Sequence, residues 1–162
     1  RNTYKPLLAE SVVEFWNRYF YYFKELLVTF FFMPTFTGAA KRLRRWPRAR
    51  LLAAVCAAAF VGNTYYHLIE HGAELAQGQM FQVLAAQASR MFYCVLLAIG
   101  IFVSMSREPA RRGGAAAPAG WRRFVRIAGV WTFFGLISIW NTKGGVAFWT
   151  RIEFFLGLLG LA

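Results

Sequence analysis

Acidic side chains are scarce in this chain: seven Asp and Glu stand against 19 Lys and Arg, giving a formal net charge of +12. The surplus lies mostly in clusters beside apolar runs. A nucleic-acid partner would account for the charge through phosphate contacts but would leave the long apolar runs between the clusters unexplained, so that class is set aside. Cysteine is equally sparse. Cys56 and Cys94 each lie inside an apolar run, without CxxC spacing or a histidine at metal-ligand intervals, and both read as packing residues. Neither a glycine-rich phosphate loop nor a serine nucleophile elbow occurs. The first residue is Arg1 rather than Met, and no short apolar segment with a small-residue cleavage site follows it, so the chain reads as a fragment or an incompletely covered chain.

What the chain has in abundance is apolar surface. Its 162 residues are 58% hydrophobic and 19% aromatic, with a mean hydropathy of +0.40, against roughly 45–50% apolar residues in soluble domains. This composition predicts an all-α integral membrane protein. The apolar runs place about four transmembrane helices behind an N-terminal amphipathic or re-entrant aromatic helix. Residues 1–36 form that first region. On one helix, Glu14, Arg18, Tyr21 and Glu25 make a polar stripe against a broad aromatic surface. Ser11 and Glu14 match a capping box, and Pro34 is the expected stop. Residues 37–50, with the run KRLRRWPRAR, read as a basic cytoplasmic loop. A transmembrane hairpin over 51–105 follows, then a flexible basic loop over 106–123 containing GGAAAPAG. A C-terminal transmembrane pair spans 124–162, with NTKGG as its turn. Basic loops on both flanks of the hairpin put His67 toward its non-cytoplasmic end, and membrane lipids are the implied surroundings.

The chemistry concentrates in that hairpin. The run Leu51–Ile69 carries no formal charge but ends near an imidazole, His67, and a titratable group near lipid depth is costly unless it faces a partner, a cavity or a substrate path. Asn63 lies one helical turn before it, and Glu70 and Glu74 continue the same face at i+7 and i+11 from Asn63. An imidazole can take a proton from a hydroxyl and return it to a leaving group near neutral pH, with Asn or Glu fixing its tautomer. The bland alternative is a histidine at the membrane interface, bonded to a neighbouring helix. His71, at i+4 from His67, makes a metal pair conceivable, but HLIEH is not HExxH, and a solvent-facing loop histidine with no metal is the expectation. Arg90, inside the second span near Gln82 and Gln87, calls for a partner. Glu70 or Glu74 across the hairpin would serve, and an anionic substrate group is the other use.

Three stretches carry a resemblance to a known family: EFWNRYFYYFKELLVTFFFMPTF at 14–36, AAAFVGNTYYHLIEHGA at 57–73, and WTFFGLISIWN followed by FWTRIEFFLGLLGLA at the C-terminus. They resemble the C-terminal portion of the membrane-bound O-acyltransferases, in particular the bacterial branch that acylates exported polysaccharides such as alginate. The resemblance implies a multi-pass protein of the bacterial inner membrane. It implies no bound cofactor but an acyl thioester donor, acyl-CoA or acyl carrier protein, and a polysaccharide or other hydroxyl acceptor. His67 would be the general base, Asn63 or Asn17 would orient the imidazole or polarise the carbonyl, and Arg18 with Tyr19, Tyr21 and Tyr22 would line the donor side. Glu70 and Arg90 complete the expected substrate-binding set.

Two rivals come from other classes. A non-catalytic transmembrane subunit would pack its aromatic helices against other subunits of a pigment-protein or respiratory assembly, for which the small-residue run AAVCAAAF at 53–60 suits close contact. A transporter piece would use Arg90 and the glutamates as a polar path.

Overall fold

The computed structural model describes residues 4–19, 21–112, 120–141, 146–158 and 160, with the backbone alone at 108–112. Among the described residues every regular element is helical. A single 3-10 turn, Pro6–Leu8, precedes α1 (Val12–Tyr19), α2 (Tyr21–Leu27), a π-helical turn (Val28–Phe32) and α3 (Met33–Gly38). Then α4 (Pro47–Val55), a second π-helical segment (Cys56–Gly62) and α5 (Asn63–Ile69) run on as one rod. The short α6 (Gly72–Ala76) turns the chain into α7 (Met80–Arg112), followed by α8 (Gly120–Ser138) and α9 (Phe148–Leu158).

Two of these rods are long and apolar enough to cross a membrane, Pro47–Ile69 with 23 residues and Met80–Arg107 with 28. At 1.5 Å per residue they measure about 35 and about 42 Å, against a hydrocarbon core of about 30 Å. Four such helices were expected. The third candidate, α8, spends its first two turns on Arg122, Arg123 and Arg126, and α9, with 11 residues, is only about 17 Å long. The basic stretch 106–123 is also shorter as a loop than expected, because α7 continues to Arg112 and α8 starts at Gly120. Residues 113–119, which hold most of GGAAAPAG, and 142–145 of the NTKGG turn lie outside the described residues.

The two long rods form an antiparallel hairpin whose contact is made by small side chains. Ala54, Ala58 and Ala59 are buried, and Val55, Ala59 and Ala98 form one core cluster with Leu51 and Met105 packed at its edge. The small-residue run is therefore spent inside the chain. Small residues let helix backbones approach closely where lipid offers no hydrophobic drive, so packing itself carries the association. A second cluster joins Trp16 of α1, Leu27 of α2, Ala58, Leu97 of α7 and Ile137 of α8. Both π-helical segments face each other across it, and a Cβ on Gly62 would lie 2.8 Å from Leu27 and 2.9 Å from Phe31.

The N-terminal third is not one helix. The expected stripe is divided between α1, where Glu14 pairs with Arg18, and α2, where Lys24 pairs with Glu25. Pro34 sits in the first turn of α3, where a missing N–H costs nothing, rather than ending a helix. Ser11 Oγ accepts the Glu14 N–H at 3.1 Å, while the Glu14 carboxylate reaches back to the Glu10 N–H at 2.7 Å, one residue before the expected reciprocal partner. The path of this region is a hairpin within the bundle. Val13 N–H donates to Ser104 Oγ near the arginine-rich end of α7, Phe23 reaches Tyr66 far down the rod, and α3 returns to place Phe36 under the Arg50 guanidinium at 4.1 Å.

At the other end, α9 folds back under α8. Trp140, 2% exposed, is enclosed by the rings of Phe92, Phe148 and Phe155 at 4.7, 5.4 and 6.2 Å. Arg151, in the second turn of α9, is a charged residue inside this apolar stretch. It is buried, donating from Nη1 to the Ile139 carbonyl at 2.6 Å and from Nε to the Val146 carbonyl at 3.3 Å. A guanidinium there satisfies a main-chain oxygen left over where α8 ends and another just before α9.

Candidate functional site

A one-residue widening of the rod sets up the site. The π-helical segment Cys56–Gly62 adds length to a turn, so the face presented by α5 is rotated against that of α4. Directly after it come Asn63, Tyr66 and His67. Asn63 and His67 are one turn apart and line the same cavity, of about 230 Å³, with Trp16, Phe23, Tyr93 of α7 and Asn141. On the order of seven water-sized groups fit such a volume.

Asn63 and His67 are held in place by packing, while Asn141 is exposed at the rim. Asn63 is 4% exposed and donates from Nδ2 to Cys94 Sγ at 3.3 Å, which leaves its second amide hydrogen and its carbonyl oxygen for other groups. His67 is half-buried, with Nδ1 wholly shielded from solvent. Its ring stands edge-on to Tyr66 at 5.7 Å, and Tyr66 in turn packs against Phe23 at 5.0 Å. An imidazole and two carboxamides around one small cavity can accept a proton, donate hydrogen bonds to a developing oxyanion and orient a hydroxyl.

Trp16 also lines a second, more apolar cavity of about 280 Å³, bounded by Leu27, Phe32, Val55 and Met105. Asn17 belongs to this one. It is exposed, one residue beyond Trp16 and therefore about 100° round the helix, and it does not line the His67 cavity.

The remaining expected residues lie elsewhere. Arg18 is paired with Glu14 and donates to the Lys5 carbonyl at 3.1 Å. Tyr21 and Tyr22 are exposed and stack edge-on against each other. Glu70 lies 3.9 Å from the Arg90 guanidinium, so Arg90 has the cross-hairpin partner its depth calls for. Glu74 does not continue the Asn63 face, because α5 stops at Ile69 and Glu74 sits on α6. It holds His71 instead. His71 Nδ1 is 2.5 Å from the Glu74 carboxylate and its Nε2 is 2.6 Å from Gln87 Nε2, while Gln87 Oε1 accepts from Arg90 at 2.8 Å. The carboxylate can only accept, so the proton sits on Nδ1, and Nε2 of the neutral ring accepts from the Gln87 amide. His71 is thus the middle of a relay rather than a solvent-facing loop residue. Among the described residues no group of three His, Cys, Asp or Glu is placed to hold a metal ion.

Sequence reasoning missed Trp16, Phe23, Tyr66, Tyr93 and Asn141. The aromatic four were indistinguishable from packing residues, and Asn141 begins the NTKGG stretch, where asparagine is common for reasons of backbone geometry. No protein-family model matches the chain, and neither a curated protein nor a solved structure does.

Proposed function

We propose that this chain is part of a membrane O-acyltransferase of the bacterial inner membrane, moving an acyl group from a thioester to a hydroxyl. His67 takes the hydroxyl proton, and the oxygen attacks the thioester carbonyl carbon. An oxyanion forms, to which Asn63 or Asn141 donates. Its collapse breaks the carbon–sulfur bond, and the departing thiolate recovers the proton from the imidazolium. The apolar cavity beyond Trp16 offers the donor's acyl end a water-poor wall.

The observation that carries this reading is the convergence of His67, Asn63 and Asn141 on one half-open cavity beside two rods of bilayer length. A histidine bonded at an interface needs no cavity. The rival reading as a packing subunit drew on the small-residue run at 53–60, which is consumed by contact with α7.

The test is thiol release from acetyl-CoA by the whole chain in lipid nanodiscs, with and without an added polysaccharide acceptor. His67→Ala is expected to abolish acceptor-dependent release while helical content stays at the wild-type level. Full turnover in that variant removes the role of His67.

A further inference from the structure

At the opposite end of the bundle, α7, α8 and the start of α1 bound a groove of about 660 Å³ with two unlike ends. Its long wall is apolar: Ile99 and Val103 are exposed on α7, and Val130 and Phe133 face them from α8. Its other end is cationic. Arg107 is exposed there and makes no ion pair among the described residues, and Arg126 lines the same end. Glu10 is the one carboxylate in the lining, and it is already shared, with Arg126 at 3.5 Å and Arg123 at 3.2 Å. Glu14, the next acid along, is taken by Arg18. Two guanidinium groups in the lining stand against one carboxylate, and that carboxylate is shared with Arg123 outside the groove.

Hydroxyl groups add to that excess of donors. Ser104 Oγ accepts from the Val13 N–H and Ser11 Oγ from the Glu14 N–H, so each keeps its own proton to donate outward. Donors around a positive charge, opening onto an apolar trough at the basic end of two bilayer-length helices, match a phosphate joined to an acyl chain. The basic end is also the one the positive-inside bias assigns to the cytoplasmic leaflet, where anionic lipids are enriched.

We propose that this groove holds one anionic phospholipid, its phosphate on Arg107 and Arg126 and one acyl chain along Ile99, Val103 and Val130. The site is separate from the His67 cavity. Arg107 lies 13 positions beyond Cys94 on α7, about 20 Å along the axis, so the proposal stands on the membrane reading alone and is indifferent to acyl transfer.

The experiment uses the whole chain in detergent. Tm and native mass spectra are followed while dioleoylphosphatidylglycerol, dioleoylphosphatidylcholine or glycerol 3-phosphate is added. Phosphatidylglycerol is expected to raise Tm by several degrees and to remain as a single adduct, with no such effect from the other two. The double variant Arg107→Gln/Arg126→Gln should lose that adduct. So should Gly129→Leu, which leaves both arginines intact: Gly129 lines the groove and a Cβ there meets nothing within 4 Å, so the added side chain fills the trough without a clash. An equal effect from phosphatidylcholine would reduce the groove to ordinary lipid contact, and an equal effect from glycerol 3-phosphate would make it a site for free phosphate. Either outcome overturns the proposal. If the arginine variant does not fold, an adduct that survives in Gly129→Leu overturns it as well.

Discussion

Phe133 lays the tip of its ring on Gly100: a Cβ built on that glycine would stand 2.3 Å from Phe133 Cζ and 2.8 Å from Cε1. This is one of the contacts through which α8 closes on α7, and it tolerates no side chain unless the ring moves. Gly100→Ala is expected to destabilise the chain by about 1–3 kcal/mol, the usual cost of overpacking. Pairing it with Phe133→Leu should recover part of the loss, because the shorter side chain vacates the clash. Thermal unfolding in detergent of the two single variants and the double variant measures the coupling, and strict additivity would mean that the ring is free to swing away.

Arg151 holds the C-terminal helix to the end of α8 through the Ile139 carbonyl, and it also closes its own helix start through the Val146 carbonyl. Arg151→Met keeps the length and the apolar stem but strands those oxygens in a buried setting, at an expected cost of about 1–3 kcal/mol. The loss should be local. Hydrogen exchange is expected to rise across Phe148–Leu158 and around Trp140 while the Pro47–Ile69 rod keeps its protection.

Much of this architecture could be read from the residues, and what could not has a specific cause. Apolar run length located the two long rods, and the short polar link between them made the hairpin antiparallel. The i, i+4 spacing put Asn63 and His67 on one face because both follow the π-helical segment and share an undisturbed α-helical register. Glu74 failed for the complementary reason: a wheel drawn through it assumes a helix that the chain leaves at Ile69. Asn17 failed by a single residue. Which of Trp16 and Asn17 faces the His67 cavity depends on how α1 leans against α7, and a difference of about 100° lies below what an aromatic-rich pattern resolves. The π-helical segments have no periodic signature, since one extra residue in a turn looks like ordinary scatter in the apolar pattern.

The relay Arg90–Gln87–His71–Glu74 ties the α5–α6 turn to α7, and Gln87, 5% exposed, is its least replaceable member. Its amide satisfies an acceptor on one side and a donor on the other, which no apolar side chain of similar volume can do. Gln87→Met is therefore expected to cost about 1–3 kcal/mol. In a double-mutant cycle with His71→Ala, a coupling of about 0.5 kcal/mol or more is expected for residues in one hydrogen-bonded chain. A coupling near zero would show that the two contacts act independently. Weakening this link should also loosen the residues next to His67, so the cycle is best read alongside hydrogen exchange at Tyr66–Ile69.

Cys94 decides what Asn63 is for. The amide donates to the Cys94 sulfur, and a sulfur acceptor is weak enough that losing the bond should cost only about 1 kcal/mol. If Asn63 serves chemistry, its removal must show up far more in turnover than in stability. Asn63→Ala is expected to lower kcat by about 100-fold, the scale associated with one donor to a developing oxyanion, at nearly unchanged Tm. Cys94→Ser offers the amide an oxygen acceptor in place of sulfur, and it should keep both turnover and Tm close to wild type. Cys94→Val removes the acceptor while preserving bulk, which frees the amide to rotate and should give an intermediate kcat. A series in which Tm falls from variant to variant and kcat only follows it would reduce Asn63 to a packing residue.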